Sequence, residues 1–424
     1  MDTPLPNRWD DTAAAAWVAA AGDDPADRDL ALRIYTSRLI GGDPDLVLHG
    51  GGNTSVKTLR PDADGKPRAV MHVKGSGWDL ATIEAPGLPA VELAPLLASR
   101  HAAPLSDPEM VGLLRANLLD PASPNPSLET LLHAFLPARF VDHSHATAVL
   151  VLVNQPDAAE IGQRIYGGQL AIVPYVMPGY DLSIEAARIF DANPECKGLW
   201  LVNHGLFTFG KTARESYDRM ITFVNMAEDF LASAGVTVLL IEPPQPADDR
   251  AQAFGALLAD RLRAAGPVFA AGAALDFRQD TAIRTLLARD DLPEIASRGT
   301  VTPDHVIRIK AFPLILDGTE NAADIDAALD RYAERYRTYF RQEASRATEP
   351  KVMLDPLPRV VHVRSLGLFG VGRTGAEAAI AADLASQTAR VILAAEAIGA
   401  FTPLSRNDLF NMEYWSLEQA KLKK

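Results

Sequence analysis

Cysteine is nearly absent: this 424-residue chain carries one, Cys196. A lone thiol closes no intramolecular disulfide and has no second cysteine for a redox pair or a thiolate metal site. It reads as a small buried hydrophobe, and the usage fits a reducing compartment, so a cytoplasmic location is expected. Positive charge is also short. The formal net charge is −13, and no Lys/Arg stripe with interleaved aromatics occurs, which argues against a nucleic-acid partner. There is no uninterrupted apolar run of roughly eighteen residues, so no membrane span is expected. The segment before Trp9 contains Asp2 and no apolar stretch, unlike a secretory signal. What remains is 48% hydrophobic and 22% charged, an ordinary globular balance for two or three domains. An anionic substrate stays compatible with the negative balance, given a local pocket of cations or N–H groups.

Hydrophobic spacing predicts helices over Thr12 to Ala21 and Pro25 to Leu39, then over Val91 to Ala103, Glu109 to Leu119 and Leu128 to Leu136. Ala69 to Val73, Leu170 to Val176 and Gly198 to Val202 read as strands. The apolar, β-branched run Ala146 to Val153 also reads as a strand, entered directly from Asp142-His143-Ser144-His145. A long helix is expected from Thr212, its cap, to about Ala234. Glu242-Pro243-Pro244-Gln245-Pro246-Ala247-Asp248-Asp249 is the strongest linker, so domains are expected at 1–242 and 250–424. Leu366 to Glu377 repeats the wording of His204 to Glu215, with Leu366 where the first copy has His204. A generic strand–turn–helix explains that match nearly as well.

Three histidines carry the metal reading. His143 and His145, two apart on extended chain, point to one face; His204 lies at the mouth of an apolar strand and is followed by Gly205. Three imidazoles and an open position suit a catalytic zinc ion or another divalent metal. A lone His-x-His is more often a solvent-facing or hydrogen-bonded pair. Asp142 and Asn203 are candidates for fixing the tautomers. Glu129 is the candidate acid/base, set against the plainer role of a first-turn helix glutamate; His133 shares its face and is expected to hydrogen-bond to it. Two glycine-rich turns, Gly50 to Ser55 and Val73 to Gly77, offer N–H groups for a phosphate, or are simple hairpin turns. Gly370-Val371-Gly372-Arg373-Thr374-Gly375 matches a dinucleotide fingerprint but lacks the second strand that motif needs.

In order along the chain, Gly51-Gly52-Asn53-Thr54-Ser55, Lys74-Gly75-Ser76-Gly77, Ser127-x-Glu129, His143-x-His145 and Asn203-His204-Gly205 resemble the class II aldolase/adducin family. Three longer phrases resemble the aldolase half of bifunctional rhamnulose-1-phosphate aldolase/short-chain dehydrogenase proteins. They are Glu129 to Phe135, Val301 to Arg308 and Met412 to Leu422. The resemblance implies a three-layer α/β/α domain with a mainly antiparallel sheet; for the second α/β domain the repeated wording leaves a degenerate copy as one reading, beside a cap on the site or part of the oligomer interface. It implies zinc on His143, His145 and His204, and Glu129 moving a proton at the carbon beside a carbonyl. A sugar phosphate would be held by Asn53, Thr54, Lys74, Ser76, Gly77 and Ser127, and the chain would form a homo-oligomer, usually a tetramer. Leu128 stands where fuculose-phosphate aldolases carry a second serine. The chain ends at Lys424, where the bifunctional proteins continue, so another protein is expected to handle the aldehyde product. The expected reaction is retro-aldol cleavage of a rhamnulose- or fuculose-type ketose 1-phosphate to dihydroxyacetone phosphate and a small aldehyde. Tyr166, Tyr175 and Tyr180 are candidates to assist at the aldehyde. The competing readings are a sugar-phosphate epimerase, a decarboxylating aldolase on the same site, or a non-enzymatic adducin-like scaffold.

Overall fold

The computed structural model describes residues 4–347 and 349–419; the last residues of the Met412 to Leu422 phrase, 420–422, lie outside them. Contacts divide the chain into one unit of residues 1–153 and 157–235 and another of 154–156 and 236–424.

The first unit is built on a seven-stranded sheet. Its strands are β1 (Asn53–Pro61), β2 (Pro67–Val73), β3 (Ala90–Glu92), β4 (Phe140–Ser144), β5 (Leu170–Val173), β6 (Gly198–Leu201) and β7 (Gly205–Gly210), in the order β3-β2-β1-β4-β7-β6-β5. All neighbours are antiparallel except β5 and β6. Because side chains alternate along a strand, each face has its own packing. Val141, Leu199, Leu201, Phe207 and Phe209 pack with Leu132, Leu182 and Ala186, which come from helices Thr130–Phe135 and Tyr180–Ala192. On the other face Val56, Phe140 and Ala213 pack with Leu32, covered by helices Pro25–Gly41 and Ala213–Ser233. The result is the three-layer α/β/α arrangement.

A buried ion pair stitches the second of these faces. Arg33 and Asp142 approach to 2.5 Å with both side chains fully enclosed. Asp142 also accepts from Ser216 at 2.5 Å, and Arg33 donates to the carbonyls of Ser55 and Val141. Burial pushes the Asp142 pKa up and the Arg33 pKa down, while mutual attraction opposes both shifts. The pair holds helix Pro25–Gly41 to the sheet centre.

Two sequence-based expectations change. Thr147–Val153 is a helix, not a strand; all seven residues are buried, and an apolar run enclosed on every side loses the alternation that separates strand from helix. The extended segment runs through the first histidine of the pair, at Phe140–Ser144, rather than following the pair. Likewise Ala90–Glu92 forms an edge strand, with the helix confined to Leu93–Ser99.

The second unit has a four-stranded sheet of β8 (Ala274–Arg278), β9 (Leu314–Leu316), β10 (Val360–Val363) and β11 (Gly367–Gly372), in the order β8-β11-β10-β9. β11 is antiparallel to both neighbours, and β9 runs parallel to β10. The order β4-β7-β6-β5 has the same directions strand for strand. The helix that follows is the same as well. Thr212 caps Ala213–Ser233 by accepting from the Glu215 amide, and Thr374 caps Gly375–Ile398 by accepting from the Glu377 amide. Each glutamate then accepts from the backbone N–H of Lys211 or Arg373. The second unit thus copies the strand order, strand directions and following helix of the β4-β7-β6-β5 half of the first unit's sheet. Gly370 and Gly372 lie inside β11, so no dinucleotide loop exists there. Gly375–Ile398 is long and apolar enough to cross a membrane, yet 67% of its most apolar stretch is buried in the fold; it packs on β8 and β11 as a core helix.

Candidate metal centre

The pleat decides which of the predicted residues converge. In the β1–β4–β7 register, Asn53 lies beside His143, which lies beside Phe207. These three share the face covered by helix Thr130–Phe135. His143 is fully buried and stacks on Phe207 with centroids 4.1 Å apart. Its Nδ1 donates to the carbonyl of Leu206 at 3.1 Å, which leaves the Nε2 lone pair aimed into the site. His145, just beyond the strand end, brings its Nε2 to 3.0 Å from that atom.

His204 arrives through a tight turn between β6 and β7. Leu201 pairs with Gly205, and Asn203 bridges them in the left-handed region at φ 55°. Asparagine tolerates that conformation better than other residues with side chains. Gly205 has no alternative, since a Cβ there would lie 2.4 Å from the Ser144 carbonyl oxygen. Gly52 is similarly tied to the site: at φ 55°, a Cβ would meet the His143 carbonyl oxygen at 2.6 Å.

Ligand atoms of His143, His145 and His204 all lie within 4.8 Å of one another, and all three residues are buried. Nitrogen ligands about 2.0–2.1 Å from one zinc ion stand about 3.3 Å apart. A buried, all-imidazole donor set at this spacing fits a divalent metal. Glu129 closes the site, with Oε2 at 3.6 Å from His143 Nε2 and Oε1 at 3.7 Å from His204 Nε2.

A hydrogen-bonded chain that residue spacing did not anticipate holds Glu129. Its Oε2 accepts from Asn53 Nδ2 at 2.6 Å. The Asn53 carbonyl oxygen meets His133 Nε2, and His133 Nδ1 lies 2.8 Å from Ser55 Oγ. Burial, reinforced by the Lys57 charge, pushes the His133 pKa well below that of free histidine, so the ring is neutral. A neutral ring has one N–H. Placing it on Nε2, toward Asn53, lets Ser55 donate to Nδ1 and turns the Asn53 amide N–H toward the carboxylate. The His133 ring therefore does not bond the Glu129 carboxylate, as the four-residue spacing suggested, although its backbone N–H donates to the Glu129 carbonyl at 3.1 Å; the ring sets the amide that holds the carboxylate. That spacing was the available signal, but the partner comes from a strand 80 residues away.

The remaining candidates separate cleanly. Ser127 donates its backbone N–H to the Lys74 carbonyl at 2.9 Å, and Ser76 donates to the Asn125 carbonyl at 2.8 Å. These contacts set Ser76, Gly77 and Ser127 side by side, and Asn53 Nδ2 reaches Ser127 Oγ at 3.3 Å. Lys74 is buried, and its Nζ donates to the carbonyls of Gly50, Gly51 and Gly52. Its charge organises the glycine turn. Thr54 falls on the opposite face, where its hydroxyl meets Ser37 at 2.8 Å, because neighbours on a strand point apart. Asp142 faces the same way, toward Arg33 and Ser216, so the Leu206 carbonyl, not Asp142, fixes the His143 tautomer. The hydroxyls of Tyr166 and Tyr180 donate to the carbonyls of Phe223 and Ser99. The β8–β11 register puts Asp276, Phe277 and Gln279 where Asp142, His143 and His145 stand, and Leu366 where His204 stands. The copy keeps the aromatic pair, Phe277 and Phe369 at 5.0 Å, and has none of the ligands.

A buried three-histidine centre with an adjacent carboxylate, on an antiparallel sheet of an α/β/α domain, is the arrangement of a metal-dependent lyase family. The model of the class II aldolase and adducin N-terminal domain matches residues 32–231, and that of the class II aldolase second domain matches residues 253–422. The chain belongs to the class II aldolase/adducin family. Over 409 residues it is 31% identical to an uncharacterized oxidoreductase, YuxG, of Bacillus subtilis, covering 92% of this chain and 57% of that one. The chain thus spans little more than half of that relative. It is 28% identical over 171 residues to the methylthioribulose-1-phosphate dehydratase of Pseudomonas savastanoi, covering 35% of this chain and 83% of that one. Among solved structures, the N-terminal class II aldolase domain of a Thermoplasma acidophilum protein is 40% identical, covering 54% of this chain and 99% of that one, with a TM-score of 0.47.

Proposed function

We propose that this chain is a zinc-dependent aldehyde-lyase that cleaves a ketose 1-phosphate of the rhamnulose or fuculose kind to dihydroxyacetone phosphate and a small aldehyde. The observation that carries the reading is Glu129, held by Asn53 at 2.6 Å and within 3.7 Å of two of the three histidines. His143, His145 and His204 would hold the metal, which would supply Lewis acidity to the substrate carbonyl. In the retro-aldol direction the C4 hydroxyl passes its proton through water to the Glu129 carboxylate, the C3–C4 bond breaks, and its electron pair passes to C3. Glu129 delivers a proton to C3, and the Asn53 amide keeps the carboxylate oriented for it. The Gly50–Gly52 turn, Ser76, Gly77 and Ser127 receive the phosphate through N–H and hydroxyl donors, with Lys74 bracing the turn. The catalytic part lies within 1–242, and 250–424 is an accessory domain; a cytoplasmic homo-oligomer, usually a tetramer in this family, completes the reading.

Release of dihydroxyacetone phosphate from a panel of ketose 1-phosphates, with and without chelator, tests this. Chelator-sensitive cleavage of at least one member is expected. Glu129→Gln is expected to keep its metal and lose turnover by about 10²- to 10⁴-fold; near-normal turnover in that variant rejects the role of Glu129. The dehydratase relative favours a second reading, loss of water from a ketose 1-phosphate. It would show as substrate consumption with no aldehyde.

A further inference from the structure

The second unit carries polar chemistry that the histidine centre does not use. A cavity of about 160 Å³ opens there, lined by the charged groups of Arg308, Lys310, Arg359 and Arg373 and of Asp355, Glu377 and Glu413. Two cations are already matched, Arg359 with Asp355 and Arg373 with Glu377, each at 2.5 Å. Lys310 is buried; its Nζ donates to the Asp355 carbonyl and stands 3.8 Å above the Tyr336 ring. Glu413 is fully enclosed and accepts from the Tyr336 hydroxyl at 2.6 Å. That leaves Arg308, half-buried in the wall, whose guanidinium makes no hydrogen bond or ion pair among the described residues. Four cations against three carboxylates leave the cavity with a surplus positive charge.

The backbone points to the same place. Lys310 ends helix Val306–Ile309 at φ 61°, ψ 175°, a region that residues with a Cβ rarely enter and that persists where the surroundings impose it. Among the described residues only His49, Asn203 and Lys310 combine a side chain with positive φ. His49 leads into the Gly50–Gly52 turn and Asn203 into His204, so two of the three flank the metal centre. The third lines this cavity, at the end of the Val301 to Lys310 segment that the first site leaves unused.

We propose that this cavity is a second ligand site, where Arg308, with Lys310 behind it, binds the oxyanion end of a small phosphate ester or carboxylate whose apolar stem lies along Ile307, Leu354 and Val371. A guanidinium fork matches either oxyanion with two parallel hydrogen bonds. The site is separate from the histidine centre and does not depend on the reaction assigned to it.

Isothermal titration of the full chain with inorganic phosphate, and separately with acetate, tells the two oxyanions apart. One class of binding is expected to weaken about tenfold or more in Arg308→Gln, as loss of a charged hydrogen-bonding partner requires. Metal content should not change. Arg308→Lys, which keeps the charge and loses the fork, is expected to fall between wild type and Arg308→Gln, and His204→Leu is expected to retain this class of binding. Failure of the wild-type chain to bind either anion overturns the proposal, as does an isotherm that both Arg308 variants leave unchanged.

Discussion

The four-stranded halves β4-β7-β6-β5 and β8-β11-β10-β9 share strand order, direction and the capped helix that follows, yet their centres are chemically opposite. At the middle of the first, His143 stacks on Phe207; at the equivalent register of the second, Phe277 meets Phe369. An imidazole stacked on a ring can also coordinate, whereas a phenyl can only pack. Replacement of three imidazoles by Phe277, Gln279 and Leu366 preserves the sheet because aromatic packing and apolar burial supply its stability without any ligand chemistry. The frame is therefore separable from the site built on it. The copy's own polar chemistry sits elsewhere, around Arg308 and Lys310.

The most forceful way to break this comparison is to write the copy's residue into the first unit. His204→Leu, which installs the residue found at position 366, is expected to abolish metal binding and turnover while leaving far-UV circular dichroism unchanged; retained metal would mean that the triad is wrongly identified. Next in size is the aspartate that both halves keep. Asp142→Ala strands the enclosed Arg33 and is expected to cost about 3–5 kcal/mol, measured by urea unfolding. Asp276→Ala removes a pair with Arg278 whose side chains are 24% and 19% exposed. It is expected to cost roughly 1 kcal/mol or less. Equal costs would show that the two aspartates are embedded alike.

Acid should weaken both halves. Burial lowers the pKa of His133 in the first unit and of His362 in the second, the latter to about 4. Both rings fold neutral, so this stability is complete above an unfolded pKa of about 6.5. As pH falls below that value the unfolded chain takes up protons first. Each group then removes about 1.4 kcal/mol per pH unit, down to its folded pKa. Urea midpoints between pH 7 and 5 check this; His362→Phe is expected to flatten the second unit's share, and an unchanged slope would discount His362. The smallest effect concerns the caps. Thr212→Ala and Thr374→Ala should each cost about 1 kcal/mol, and a marked inequality would argue that the two strand–turn–helix segments are not equivalent.

Much of the site was legible because its residues cluster in short, chemically distinctive phrases. His143, His145, His204 and Glu129, which the fold brings together, were all singled out before any geometry, as were the capped helix at Thr212 and the repeated wording at Leu366. Helix Thr147–Val153 was misread for a definite reason: full enclosure removes the periodicity on which the distinction rests. Thr54 was assigned to the phosphate through the resemblance and Asp142 to the tautomer as the neighbour of His143, and the pleat turned both away.

By itself, the sequence determined the donor atoms, the glycines that let backbone approach them, and the membership of the copied segment, because these depend on residue type and order. Only the tertiary structure decided which face each side chain joined, that His133 orients Asn53 rather than Glu129, and that Lys74 braces a turn. Those assignments depend on strand register and on partners up to 80 residues apart. A shift of one residue in that register would exchange the two faces of the sheet.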